Sequence, residues 1–78
     1  MTAEEYKTLA HPEAIVWEEF DDAIIAVAID GRLVYSTQKM IEILNETDDM
    51  TEEDALDYLQ YNLFNTYVNE YMPYHTMI

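Results

Sequence analysis

Basic residues are the scarcest feature of this chain: three Lys and Arg stand against 17 Asp and Glu, a net charge of −14. DNA, RNA and anionic membranes are bound by neutralising phosphates with Lys and Arg, so direct binding to any of them is electrostatically opposed. The expected partner is a basic nucleic-acid-binding protein or complex, with no direct contact to nucleic acid or membrane. Cysteine is absent, which excludes a disulfide framework and a thiolate metal site as supports for so short a chain. The longest uninterrupted apolar run, residues 23–29, has seven residues, well short of the ~20 that span a bilayer. The opening "MTAEEYKTLA" lacks the basic segment and apolar stretch of a secretory leader. Together these absences predict a soluble, cytoplasmic protein.

Catalytic equipment is equally thin. Ser36 is the single serine, and His11 and His75 lie near opposite ends, so no nucleophile and base are brought together by sequence. A non-enzymatic protein without cofactor is expected. The acidic stretch "NETDDMTEEDAL" has neither the glycine nor the alternating ligand positions of a calcium loop. A small acidic chain with one mid-sequence serine superficially resembles an acyl carrier protein. Ser36, however, sits in "VYSTQK" after a predicted strand, not in an Asp-Ser-Leu motif opening a helix.

What is present is a folded domain. Half the residues are hydrophobic and 13% are aromatic, too apolar for a disordered acidic tail. No repeat, linker or low-complexity tract divides the chain, so residues 1–78 are read as one domain. Thr2 and Glu5 form a capping-box pattern before a helix over 3–9. Residues 11–22 remain ambiguous between helical turn and extended chain. In "AIIAVAIDGRLVYS", Asp30-Gly31 between two β-branched runs predicts a two-residue type I′ hairpin, with Val27 opposite Val34 and Ala26 opposite Tyr35. Ser36 or Thr37 would cap a helix over 38–46, with Met40, Ile41 and Leu44 inward. Thr51 and Asp54 would cap another over 52–64, with Ala55, Leu56, Leu59 and Leu63 inward and Tyr58 and Tyr61 outward. After Pro73, the tail reads as a third strand. The expected class is α+β, in the order α-β-β-α-α-β, with a small antiparallel-rich sheet.

The acids remain to be explained. "NETDDMTEED" holds six carboxylates and no base in ten positions. Helix residues four apart lie ~6 Å apart along the axis, close to the ~7 Å between successive phosphates. Asp49, Glu53 and Asp57 form such a ladder beside Asp48 and Glu52. The helix dipole rewards acids in a first turn and so accounts for Glu52, Glu53 and Asp54; it does not account for Asp57, Glu42 or Glu46. The candidate partner-binding set is Glu42, Glu46, Asp48, Asp49, Glu52, Glu53, Asp57, Tyr58 and Tyr61. Solubility and halophilic adaptation also produce acid-rich, lysine-poor surfaces, and the tyrosines could equally cover the core. A monomer is expected rather than a dimer.

"DAIIAVAIDGRLVYSTQKMIEIL", "MTEEDALDYLQYN" and "YVNEYMP" resemble segments of small acidic proteins encoded by phages and prophages, over about residues 21–74. The resemblance carries no catalytic residue. It implies a context in which small acidic phage proteins include DNA mimics that inhibit restriction, repair or CRISPR effector complexes. Such inhibitors do not share one fold, so the link is functional analogy. The expected function is a DNA-mimicking, anti-CRISPR-like inhibitor that blocks the DNA-binding channel of a host defence nuclease; the alternative is an acidic phage structural or regulatory interaction module.

Overall fold

The computed structural model describes residues 1–77. The chain runs through helix α1 (Ala3–Leu9), a 3₁₀ turn (Glu18–Ala23), strands β1 (Ile24–Val27) and β2 (Leu33–Ser36), helices α2 (Thr37–Asp48) and α3 (Glu52–Leu59), a π turn (Gln60–Phe64) and strand β3 (Tyr74–Thr76). The fold is α+β, and the expected element order is present with the 3₁₀ turn added. The sheet has the order β1-β2-β3, antiparallel between β1 and β2 but parallel between β2 and β3. Parallel pairing follows from the connection: α2 and α3 together carry the chain back to the end at which β2 began, so β3 re-enters in β2's direction.

The helix starts follow local chemistry. Thr2 and Glu5 form the full capping box of α1. Ser36 accepts from the Lys39 N–H and Thr51 from the Asp54 N–H, capping α2 and α3. Met40, Ile41 and Leu44 of α2 and Ala55 and Leu59 of α3 are buried, as the spacing predicts, while Leu56 and Leu63 are half-buried.

The hairpin departs from the expected turn. The Gly31 N–H donates to the Ala28 carbonyl at 2.9 Å and the Ala28 N–H to the Arg32 carbonyl at 2.7 Å, which leaves Ile29, Asp30 and Gly31 as a three-residue loop. A type I′ turn needs positive φ at both central residues; here Gly31 has it (φ 90°) and Asp30 does not. Asp30 instead accepts the Arg32 N–H on its side chain, and the loop is a turn followed by a left-handed glycine. Glycine is needed twice over, because a Cβ on Gly31 would lie 2.8 Å from that of His11. The register moves accordingly: Val27 pairs with Leu33 and Ala26 with Val34, and a bulge between Ile24 and Ala26 then sets Ile24 opposite Tyr35.

The segment that sequence left open supplies the centre of the core. Trp17 and Phe20 are buried with Leu33, Tyr35, Met40, Leu44 and Leu59. The Trp17 backbone N–H donates to the Tyr35 hydroxyl at 2.9 Å, and the two rings tilt against each other at 4.9 Å. Burial pushes the Tyr35 phenol up to about 12. Beyond Leu59 the helix widens: the Asn65 N–H reaches the Gln60 carbonyl at 3.1 Å, five residues back. One extra residue per turn lets Leu63 and Phe64 both turn toward the core, where an unbroken α-helix would swing Phe64 away. The expected single helix over 52–64 is therefore an α-helix and a π turn.

Candidate functional site: an acidic face around two helix ends

"NETDDMTEED" spans the end of α2 and the start of α3. All six of its carboxylates are exposed, as are Glu42 and Asp57. α2 ends in a left-handed cap: Asp49 has φ 55° and ψ 29°, and the N–H groups of Asp49 and Met50 both turn back to the Leu44 carbonyl. The Asn45 amide donates to the Met50 carbonyl at 2.9 Å and ties this corner to the helix before it. Thr51 then starts α3. The expected ladder is corrected by this geometry, because Glu53 and Asp57 are one helical step apart on α3 whereas Asp49 lies outside it, in the cap of α2.

The two helix ends place their acids in opposite fields. Glu52, Glu53 and Asp54 occupy the first turn of α3, where unpaired N–H groups favour anions. Glu46, Asp48 and Asp49 lie at the carboxyl end of α2, where free carbonyls disfavour them, and no base stands in that last turn. Cations are placed elsewhere. Lys7 bonds Asp21 at 2.8 Å, which raises the ammonium's pKa, and also pairs with Glu4; Lys39 pairs with Glu42 at 3.8 Å. Among the described residues, Glu46, Asp48, Asp49, Glu52, Glu53, Asp54 and Asp57 take part in no ion pair.

Tertiary packing enlarges the face beyond the residues expected. The 3₁₀ turn, carrying Glu18, Glu19 and Asp22 outward, packs on α2. Tyr58 marks the junction: it is half-buried against the core, correcting its expected outward position, and desolvation raises its phenol, assisted by the carboxylates of Glu19 and Asp48. Two acidic regions distant in sequence thus meet across one tyrosine. Periodicity gave no signal for this, since residues 11–22 fit neither a helical nor a strand pattern. Tyr61, 81% exposed, does point outward as expected.

The molecule measures 33 × 26 × 18 Å. Duplex DNA as long as the largest dimension carries about 19 phosphate charges, of the same order as the net −14 of the chain. Among the described residues, no helix is long and apolar enough to cross a membrane, and no cluster of acidic and histidine side chains is arranged to hold a metal ion. Comparison with protein-family models, with curated proteins and with solved structures returned no match.

Proposed function

We propose that the protein is a non-enzymatic inhibitor whose acidic face imitates the nucleic-acid backbone and occupies the DNA-binding channel of a basic partner, a host defence nuclease complex of the CRISPR effector type. One observation carries the reading: Glu46, Asp48 and Asp49 stand at the carboxyl end of α2, against the helix dipole, with no base in that turn and no ion pair among the described residues. Solubility alone calls for exposed charge, which could sit at a helix start or mid-helix at no such cost. A partner that supplies Lys and Arg turns this unfavourable position into complementarity. The adjoining Glu18, Glu19 and Asp22 extend the same surface, and the exposed ring of Tyr61 adds flat contact area.

The test uses the immobilised protein and a variant carrying Glu46→Lys, Asp48→Lys and Asp57→Lys. The wild type should retain a nucleic-acid-binding partner that competing duplex DNA releases, and the variant should bind it at least tenfold more weakly while keeping its far-UV circular dichroism. Retention of the partner by the variant at wild-type strength would overturn the reading. The exposed apolar residues Tyr61, Tyr67 and Val68 favour a second reading, an interaction module that docks through apolar contact. That module would hold its partner through high salt and release nothing to DNA.

A further inference from the structure

At the far end of α3, where the π turn meets β3, a cavity of about 360 Å³ opens between Trp17, Arg32, Phe64, Tyr67, Tyr74 and His75. We propose that it binds a small aromatic carboxylate, with the ring against the aromatic wall and the carboxylate on Arg32. Its volume falls within the ~300–1,000 Å³ of small-molecule sites.

Charge is the first argument. Among the described residues, no Asp or Glu lines the cavity directly, although the chain has 17 of them; the Asp30 carboxylate approaches it from behind Tyr74, whose hydroxyl it accepts at 2.7 Å. Arg32, which does line it, is the one basic side chain in no ion pair among the described residues. Preorganisation is the second. The Arg32 Nε–H donates to the Met72 carbonyl, and the guanidinium lies over the Tyr74 ring, 3.8 Å from its centre. The plane of the fork is thereby set, and Arg32 shares this corner with the Tyr74 hydroxyl and with the Asp30 carboxylate that accepts it, beside which a ligand carboxylate would have to dock. Shape is the third. Phe64 and His75 stack at 3.7 Å and 7°, and Trp17 meets Phe64 at 5.9 Å and 44°, so the lining is an angled aromatic corner against which the edge or face of a planar ligand can pack. Desolvation lowers the pKa of His75, which disfavours a positive charge on this ring and leaves Arg32 as the cation of the cavity. The π turn builds this wall, since it is what brings Phe64 inward.

The site is independent of the acidic face, and salt separates the two. Binding of a basic partner weakens as salt screens attraction, whereas an anion approaching a chain of net charge −14 is helped by screening. The experiment titrates the full chain with benzoate, and in parallel with benzamide, in about 20 and 300 mM salt. The readouts are the fluorescence of Trp17, the only tryptophan, and amide chemical shifts. Benzoate should saturate, with shifts confined to Trp17, Arg32 and residues 63–75. It should bind more tightly at the higher salt and at least tenfold better than benzamide. Asn65→Asp, which places a carboxylate on the exposed rim without entering the core, should weaken benzoate roughly tenfold and leave benzamide unchanged. Equal binding of benzoate and benzamide, shifts centred on α2, or no saturation in the tens of millimolar would each overturn the proposal.

Discussion

The end of α2 and the start of α3 are separated by three residues and carry the same kind of side chain, yet the acids do opposite work in them. At the start of α3, Glu52, Glu53 and Asp54 compensate unpaired N–H groups and belong to the folding of the helix. At the end of α2, Glu46, Asp48 and Asp49 face unpaired carbonyls and oppose it. Composition alone treats them as one acidic run. The difference teaches that an acid's role is read from its position in a helix, and that residues held against their local field are those for which a partner must be sought.

The largest expected effect lies outside both helix ends and gives them a scale. Tyr35 is fully buried and its phenol is raised from 10.0 to about 12 by desolvation. Its folded-state value exceeds the unfolded one, so its stabilisation is complete below pH 10 and is lost as pH rises through about 12. The loss should approach about 2–3 kcal/mol in urea denaturation compared between pH 8 and 12, and Tyr35→Phe should flatten that dependence. If wild type and Tyr35→Phe decline in parallel, charge at the surface outweighs charge forced into the core.

Next in size is removal of the acids that help folding. Glu52→Gln, Glu53→Gln and Asp54→Asn together should destabilise by about 1–2 kcal/mol in chemical denaturation at low salt, from roughly 0.3–1 kcal/mol for each first-turn acid less the relief of mutual repulsion. The counterpart at α2, Glu46→Gln with Asp48→Asn, should stabilise by about 0.5–1.5 kcal/mol for the same reason with the sign reversed. The wild-type melting temperature should rise between about 10 and 150 mM salt, and less steeply in this second variant. Equal signs for the two variants would remove the contrast between the helix ends.

The smallest expected effect concerns Asp49 alone. Its left-handed φ of 55° is a conformation that glycine adopts without Cβ strain. Asp49→Gly should therefore stabilise by about 0.5–1 kcal/mol in thermal melts, strain and dipole repulsion being relieved together. A loss of stability would show that the carboxylate itself holds the corner between the helices.

Much of this architecture was legible because it depends on neighbours in sequence. Thr2, Ser36 and Thr51 cap helices through bonds three residues away, and the stripe Met40, Ile41 and Leu44 declares its face by spacing. The hairpin was legible in place and not in register, since the Asp30-Gly31 pair suits more than one turn. The conformation taken is the one in which Gly31 receives the His11 N–H on its carbonyl and Asp30 accepts the Tyr74 hydroxyl at 2.7 Å. Both partners are remote in sequence. Trp17 and Phe20 escaped as core residues because a 3₁₀ turn and an extended segment leave no 3.6-residue or 2-residue period to detect.

By itself, then, the sequence determined the net charge, the helix starts, the inward stripes and the α+β class, because propensity, capping and periodicity act within a few residues. Packing of remote segments settled that β3 runs parallel to β2, that the 3₁₀ turn sets Glu19 beside Asp48 at Tyr58, and that the π turn and β3 enclose an aromatic cavity beside Arg32. Each of these depends on which surfaces are closed off from water when distant segments pack, a global condition that no local window contains.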